Sequence, residues 1–193
     1  MKMVYRCEWA GTDPIYIEYH DKEWGIPVHN DIKLFEMLIL EGMQAGLSWI
    51  TILKKRESFR EAFDGFDPDK VALYKAEKVE ELMENKGIIR NRRKIEAAIQ
   101  NARLFLEIQG QYGSFDKFIW SYVDYTPIIG KVDNIKELPV TTPLSDKISK
   151  DLKKMGFKFV GSTIIYSFMQ AIGMVDDHTV WCFCHTKNRG KIS

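Results

Sequence analysis

Residues 34–53 read LFEMLILEGMQAGLSWITIL, which is among the most apolar stretches of the chain. It is typical of a buried helix as far as Gly42, and Gly46 and Trp49 follow closely. One face of that helix holds the residues with i, i+3, i+4 and i+7 spacing, namely Leu34, Met37, Leu38 and Glu41. Glu36 falls on the opposite side, where we expect it to reach solvent. Burying the Glu41 carboxylate costs several kcal/mol unless it is paired, so it marks either a functional site or an acid satisfied by backbone donors or a lysine.

The composition is that of a globular protein. The chain has 193 residues, of which 45% are hydrophobic and 28% charged, enough for one compact domain or two small lobes. Because the net charge is +1, a nucleic-acid surface has to come from local clustering of cations. Three dispersed cysteines indicate a reducing compartment, and no stretch is typical of a signal peptide or membrane span. We therefore predict a cytoplasmic protein that does not act at a membrane.

Helical patterns dominate the rest of the chain. Three predicted helices run from an Asp31 cap to about Gly42, from a Ser48 cap to Ala62, and from Ser162 to Ile172. Two others cover residues 76–85 and 90–109. Further helices start at Asp67-Pro68, at Ser114, and at Thr142-Pro143, the last ending at about Met155. Residues 124–142 contain Pro127, Gly130 and Pro139, so we expect an irregular segment there. No stretch alternates convincingly, which predicts an all-α fold with little sheet.

Cysteine and histidine pairs stand at both ends of the chain. Cys7 and His20 lie near the start, and His178 and Cys182 lie near the end. The second pair has the i, i+4 spacing that puts both side chains on one face of a helix or tight turn, as a zinc site requires. One pair from each end would form a tetrahedral clasp that ties down the termini. The alternative is ordinary buried cysteines and polar histidines. Two neighbours leave the choice of ligands open: Cys184 and His185.

Residues 152–163, which read LKKMGFKFVGST, are typical of two helices joined by a short turn. Gly156 and Gly161 bracket that turn, and a helix begins at Ser162 with its N–H groups and positive dipole end free for an anion. Three lysines surround the turn: Lys153, Lys154 and Lys158. This pattern indicates a DNA phosphate site, although an ordinary helix pair with a solvated lysine face is the alternative. The basic run 90–94 is likewise either a second contact or a solvated helix face.

Aromatic residues are dense in the N-terminal third: Trp9, Tyr16, Tyr19, Trp24 and Trp49. Tyrosine and tryptophan present flat faces with a polar handle, which suits stacking on a nucleobase. Core packing is the alternative for any one of them. Their coincidence with a buried acid and two glycines favours a pocket around Glu41.

Five segments together carry a specific resemblance. They are DPIYIEYHDKEWGIP (13–27), LFEMLILEGMQAGLSWITILKKRESFREAF (34–63), GIIRNRRKI (87–95), GFKFVGSTIIYSFMQAIG (156–173) and DHTVWC (177–182). From residue 5 to about residue 185 the chain strongly resembles bacterial 3-methyladenine DNA glycosylase I, the Tag family. The motifs are long, nearly gap-free and in the same order. The match fades after Cys184, which has no assigned role.

The resemblance implies an all-helical glycosylase fold with a helix-hairpin-helix module that grips DNA. It implies one unit over 1–193, with a helical body at about 30–125, the hairpin at about 143–173, and termini 1–29 and 174–193 joined by one structural Zn²⁺. The implied zinc ligands are the four that the spacing indicates: Cys7, His20, His178 and Cys182. The implied base-pocket residues are Glu41, Tyr19 and Trp49, which Tyr16 and Trp24 join from the aromatic cluster. The implied strand-plugging loop is Gly46 and Leu47.

The resemblance also implies the reaction. A monofunctional hydrolase would excise 3-methyladenine from double-stranded DNA, with Glu41 catalytic, and leave an abasic site and the free base. The family lacks the usual catalytic aspartate of helix-hairpin-helix glycosylases, so Asp176 and Asp177 are weaker candidates for the base. We expect a monomer. Two alternatives are a non-catalytic DNA-binding protein with a structural Glu41 and a helical protein that binds free purines.

Overall fold

The computed structural model describes residues 4–189, and ten α-helices occupy most of that range. The helices are α1 (Pro14–Lys22), α2 (Asp31–Gln44), α3 (Trp49–Leu53), α4 (Arg56–Ala62), α5 (Pro68–Val71), α6 (Ala76–Glu84), α7 (Arg92–Tyr112), α8 (Phe115–Trp120), α9 (Pro143–Met155) and α10 (Ser162–Ala171). Short 3₁₀ turns cover Glu8–Ala10, Asp64–Phe66, Ser121–Val123 and Ile135–Glu137. The predicted helical class is confirmed. The outermost residues of the predicted terminal segments, 1–3 and 190–193, lie outside the described residues.

Helix α2 forms the centre of the core. Leu34, Phe35 and Leu40 are fully buried, and α2 packs against α3, α7, α8 and α10. Its burial on nearly all sides explains why the segment is apolar almost throughout rather than along one stripe. The central position also means that any polar group on α2 depends on the helices around it for partners.

Capping residues explain most of the helix starts. The Asp67-Pro68 start is confirmed, because the Asp67 side chain accepts from the Asp69 amide and proline takes the first turn. Thr142 forms a capping box with Ser145 at the start of α9. The predicted Asp31 cap is wrong, since Asn30 caps α2 and the Asp31 carboxylate instead accepts from the first amides of α8.

The predicted single helix from Ser48 to Ala62 is broken into α3 and α4. Lys55 leaves the helical region, with φ −105° and ψ 0°. Beyond this break the Arg56 side chain is buried and donates to Glu36 and Glu23. The prediction that Glu36 reaches solvent is therefore wrong, because this glutamate is 3% exposed and ion-paired within the fold.

The irregular segment is fixed by a small parallel pairing that the sequence did not reveal. Strand β1 (Ile128–Ile129) pairs with β2 (Val175–Asp176), and Val132 forms an isolated bridge with Thr179. These contacts attach the segment between α8 and α9 to the chain that follows α10. The N-terminal helix α1 was also not predicted. No described helix is both long and apolar enough to cross a lipid bilayer.

Candidate active site and terminal metal cluster

A cavity of about 220 Å³ opens beside the last turns of α2. Its walls come from seven stretches of chain, and they consist of Trp9, Tyr16, Tyr19, Trp24, Glu41, Gln44, Trp49, Ile135, Leu138, Ser167 and Gln170. Drug-sized clefts run from roughly 300 to 1,000 Å³, so this volume suits a single nucleobase better than a whole nucleotide. The structure thus brings together all five residues predicted for the base pocket.

Glu41 is the only carboxylate on the cavity wall among the described residues. It is 3% exposed, and burial raises the pKa of its carboxyl group to about 8. Within residues 4–189 no side chain or amide donates a hydrogen bond to it. A buried carboxylate without a partner is stabilised by a cation or a hydrogen-bond donor, and a ligand in the cavity can supply either one.

The aromatic side chains form a continuous wall. The rings of Tyr19 and Trp49 lie 5.5 Å apart at 56°, and those of Trp9 and Trp24 lie 4.9 Å apart at 76°. Burial, and secondly the Glu41 charge, raise the pKa of Tyr16 and of Tyr19. Both phenols therefore keep their protons at neutral pH and can act as hydrogen-bond donors. Such a wall suits a flat, electron-poor ring.

Five cavity residues were not predicted as site residues: Gln44, Ile135, Leu138, Ser167 and Gln170. Gln44 carries a signal, because it stands three residues after Glu41 and shares its helix face. The others come from the irregular segment and α10, which only the packing of distant segments brings to the cavity. Trp9 belongs to the predicted aromatic cluster, and it lines the cavity as well.

Asp176 and Asp177 do not line the cavity, and each already has partners. Asp176 accepts from His178 and Thr186, and although burial opposes it, these hydrogen bonds lower the pKa of its carboxyl group. Asp177 accepts from the Tyr166 hydroxyl at 2.5 Å and from Gln170 Nε2 at 2.8 Å. Asp177 thus acts on the cavity only through Gln170. Neither carboxylate is placed to act directly as a base there.

The turn between α2 and α3 places Leu47 at the surface beside the cavity. Gly46 has φ +82°, a left-handed conformation that favours glycine, and a Cβ built there would meet nothing within 4 Å. The Leu47 side chain is 41% exposed although it is apolar. The amide of Leu47 donates to the Gln44 carbonyl at 2.6 Å, which closes the turn. An exposed leucine on a tight turn can insert into an apolar space of a bound macromolecule.

Helices α9 and α10 are joined by the short turn 156–161, as the glycine-bracketed segment 152–163 predicts. Gly156 ends α9 in the left-handed region at φ +102°, whereas Gly161 has φ −60° and is instead open to close approach, with nothing within 4 Å of a built Cβ. The exposed lysines Lys153 and Lys154 line a groove of about 500 Å³ with Lys150 and Ser162. Lys158 is exposed outside that groove.

Not every amide of this turn is free to bind a phosphate. The N–H groups of Gly156 and Phe157 donate to carbonyls at the end of α9, and the Lys158 N–H donates to Asn101 Oδ1. Within residues 4–189 the amides of Phe159, Val160 and Gly161 have no acceptor. The surface available to an anion is therefore the second half of the turn and the start of α10.

A buried cluster of histidine and cysteine joins the two ends of the chain. Ligand atoms of His20, His178, Cys182 and Cys184 all lie within 4.8 Å of one another. Cys7 is adjacent, because its amide N–H donates to His20 Nε2 at 3.4 Å. The structure thus brings together three of the four predicted ligands, His20, His178 and Cys182, with Cys184, for which the sequence offered no role. The fourth, Cys7, lies at the edge of the cluster, where its sulfur accepts from the Thr179 amide at 3.4 Å.

The ring nitrogens decide which face of the cluster suits a metal ion. His178 Nδ1 is bound to Asp176 at 2.7 Å and His20 Nδ1 to Asp21 at 2.8 Å, a carboxylate–histidine arrangement that turns each Nε2 toward the sulfurs. His178 Nε2 is buried and has no partner within the described residues. Cys182 Sγ lies 3.4 Å from His20 Nε2, whereas Cys184 Sγ lies 4.0 Å from the Nδ1 side. These histidine and cysteine donors fit a tetrahedral metal ion, and Cys182 and Cys184 approach different nitrogens of the His20 ring.

This chain is similar to known proteins over nearly its whole length. A model of the methyladenine glycosylase family matches residues 9–185. An Escherichia coli (strain K12) protein named DNA-3-methyladenine glycosylase 1 is 53% identical over 184 residues, which are 95% of this chain and 98% of that protein.

Solved structures agree with the sequence comparison. A crystal structure of 3-methyladenine DNA glycosylase I (TAG) superposes with a TM-score of 0.91 at 55% identity, covering 94% of this chain and all of that one. A variant of 3-methyladenine DNA glycosylase I (TAG) in complex with 3-methyladenine has a TM-score of 0.91 at 40% identity, covering 93% of this chain and 97% of that one.

Proposed function

This chain belongs to the methyladenine glycosylase family, and from that premise we infer that it is a DNA repair glycosylase that excises 3-methyladenine. The reaction hydrolyses the N-glycosidic bond and releases the free base. The single observation that carries this function is the nucleobase-sized aromatic cavity with one buried, unpaired carboxylate. Neither a DNA-binding module nor a core glutamate requires such a cavity.

The substrate chemistry matches the cavity. An adenine alkylated at N3 is cationic and already a good leaving group, so the enzyme has to extrude it, recognise it and stabilise an oxocarbenium-like sugar. Glu41 would accept a hydrogen bond from the base and balance its charge. Tyr19 and Trp49 would stack on the electron-poor ring. No lysine lines the cavity within the described residues, so we propose a monofunctional enzyme that leaves an abasic site.

Release of free base is the deciding experiment. Purified protein is incubated with methylated duplex DNA, and released 3-methyladenine is separated by chromatography and quantified. We expect release by the wild type and a loss of tenfold or more in Glu41→Gln, which removes the charge but keeps the size. A wild type that binds the duplex but releases no base would support the alternative of a non-catalytic DNA-binding protein. A wild type that binds only free purines would support the alternative of a purine-binding protein.

We propose that α9, the turn and α10 form a helix-hairpin-helix module that binds DNA phosphate. The support is the open approach at Gly161, the free amides of 159–161 and the lysines along the groove. Gly161→Asp should weaken duplex binding regardless of sequence, because it adds a negative charge and a Cβ at the phosphate. Gly110→Asp is the matched control, since Gly110 is exposed on α7 and also has nothing within 4 Å of a built Cβ. Equal binding by both variants would reduce the hairpin to a packing unit.

The lysines of the hairpin have a separate test. Changing Lys153 and Lys154 to Ala should lower the slope of the logarithm of affinity against the logarithm of salt concentration by about one unit for each DNA phosphate that is no longer neutralised. An unchanged slope in the double variant would show that these lysines only face solvent.

We propose that Leu47 fills the space that the extruded base leaves in the duplex. An apolar side chain on a close-approaching turn can replace the stacking of the missing base. Leu47→Ala should slow excision from duplex far more than from single strands. Leu73→Ala is the control, because Leu73 is another exposed leucine, 76% exposed. Equal slowing of Leu47→Ala on both substrates would indicate a folding defect instead.

We propose one structural Zn²⁺ bound by Cys7, His20, His178 and Cys182. The support is the His178 Nε2, which has no partner among the described residues, the two histidine–carboxylate pairs, and the positions of the Cys7 amide and the Cys182 sulfur, each 3.4 Å from His20 Nε2. Four protein ligands leave no open position for water, so the ion would hold the two terminal segments together. Elemental analysis of protein purified without added metal should give about one zinc per chain. Cys182→Ala should lose it and Cys184→Ala should keep it; the reverse would assign Cys184 as the ligand.

We further propose that the enzyme acts as a monomer, because one chain supplies the cavity, the plugging turn and the hairpin. Sedimentation at the concentrations used for the excision assay should give the mass of one chain. A stable dimer at those concentrations would contradict this.

A further inference from the structure

The basic run 90–94 divides into two kinds of residue. Arg92 and Arg93 are exposed on the first turn of α7, but Lys94 is buried at 7% exposure. Its ammonium group has no carboxylate within salt-bridge distance in the described part of the chain. Burial without a counter-charge lowers the pKa of Lys94. A buried lysine without a partner acid is costly, so its contacts need an explanation.

Those contacts fall on the turn that carries Leu47. Lys94 Nζ donates to the carbonyls of Met43 at 2.8 Å and Ala45 at 2.7 Å, which are the last acceptors of α2. Terminal carbonyls of a helix have no intrahelical donors, and a cation there also balances the negative end of the helix dipole. Lys94 thus closes the end of the helix that carries Glu41 and fixes the start of the Gly46–Leu47 turn.

The same face of α7 also holds the hairpin. Asn101 lies seven residues after Lys94, two turns or about 10 Å along the helix. Its side chain donates to the Lys158 carbonyl at 2.9 Å and accepts from the Lys158 amide at 2.9 Å. Gln100 Nε2 donates to the Gly156 carbonyl at 2.7 Å. One rigid helix therefore sets the distance between the hairpin and the Leu47 turn.

We propose that Lys94 is a positioning residue for excision from duplex DNA, holding the Leu47 turn in register with the hairpin through α7. The proposal rests on the proposed function, since it concerns how the same enzyme opens a duplex. Lys94 touches neither the cavity nor the DNA-facing side chains. Its effect should therefore fall on base extrusion rather than on base recognition, because misplacement by about 1 Å can cost up to a hundredfold in rate.

The test compares Lys94→Met with Arg93→Met in single-turnover excision from methylated duplex and from the same strand alone. Both variants remove one positive charge from the same turn of α7, but only the first removes contacts to the Leu47 turn. We expect Lys94→Met to lower the duplex rate by about tenfold or more and the single-strand rate by no more than about twofold. Its affinity for free 3-methyladenine, read from the fluorescence of the cavity tryptophans, should stay at the wild-type value. Arg93→Met should follow the wild type throughout.

The outcomes separate this inference from the proposed function. An active wild type with a Lys94→Met duplex rate within twofold of it, or with equal slowing on both substrates, overturns the positioning role alone. A wild type that releases no base overturns both. Lys94→Gln, which keeps a donor at reduced reach, is scored by the same duplex-to-single-strand ratio if Lys94→Met does not fold.

Discussion

Glu36 and Glu41 lie on the same helix, and each is 3% exposed, yet their surroundings differ completely. Glu36 is bound by Arg56 at 2.6 Å and by Arg60 at 2.8 Å, with Lys33 at 3.3 Å. Although burial alone would raise it, these charges lower the pKa of Glu36, whereas burial without a partner raises the pKa of Glu41 to about 8. Burial by itself therefore does not identify a functional acid. What distinguishes Glu41, the proposed catalytic acid, is that it has no partner among residues 4–189.

The largest effect on stability should come from removing the arginine that pairs with Glu36. Arg56→Met keeps most of the side-chain length but leaves Glu36 and Glu23 without their shared guanidinium group. Removing one partner of a buried ion pair typically costs 3–5 kcal/mol, so we expect a loss of about 3 kcal/mol in the free energy of unfolding. Urea denaturation measures it, with exposed Arg93→Met as the control. An unchanged unfolding midpoint would mean that the pairing contributes little.

Changing Glu41 should affect the reaction rather than the stability. Glu41→Gln should lower the single-turnover excision rate by tenfold or more, equivalent to at least about 1.4 kcal/mol in the transition state. Its melting temperature should not fall, because the Glu41 carboxyl group has no partner in the described part of the chain that the change could remove. Melting and excision are measured on the same sample. A destabilised variant with near-normal activity would make Glu41 a structural acid like Glu36.

The pH dependence of stability should have opposite signs for the two acids. Because the folded pKa of Glu41 is about 8 rather than 4.5, the folded state holds its proton longer, and stability is lost as pH rises from 4.5 to 8. The free energy of unfolding of Glu41→Gln should therefore match that of the wild type near pH 4.5 and exceed it near pH 8, the difference growing by on the order of 1 kcal/mol per pH unit. For Glu36, whose pKa is lowered, stability is lost as pH falls below 4.5. A Glu41→Gln difference that is independent of pH would contradict the raised pKa.

The smallest effect should come from the exposed member of the paired network. Glu23 also accepts from Arg56, at 2.8 Å, but its side chain is 36% exposed. Solvent screens such a pair, so Glu23→Gln should cost no more than about 1 kcal/mol in urea denaturation. A cost as large as that of Arg56→Met would show that the three groups act as one unit rather than as a buried pair with an exposed neighbour.

Local rules predicted the helical elements well. The start of α9 at Thr142-Pro143 and the start of α5 at Asp67-Pro68 follow from cap residues that act within four positions. The break at Lys55 and the Asn30 cap were missed. In both cases a side chain one position away, Arg56 or Asp31, bonds to a distant segment instead of serving the local helix. Contacts with distant segments, rather than local preferences, thus set the helix break at Lys55 and the cap of α2.

The predicted site residues divide in the same way. The stripe on α2 predicted Glu41, and the dense aromatics predicted Tyr19 and Trp49, and all three line the cavity. Gln170 and Leu138 were not found, because they reach the cavity from segments about 100 or more residues away along the chain. The basic run 90–94 had two interpretations, and for Lys94 neither was right, because this side chain is buried.

The amino-acid sequence alone was enough to predict the helical class, the apolar surroundings of Glu41 and the order of motifs that marks the family. These properties depend on residue type and spacing along the chain, where a period of 3.6 residues sets which side chains share a face. Chain packing, in contrast, pairs Glu36 with arginines, leaves Glu41 without a partner among the described residues, and places Lys94 against the end of α2 that leads into the Leu47 turn. Electrostatic interactions depend on distances between atoms and on exclusion of water, and chain packing sets both.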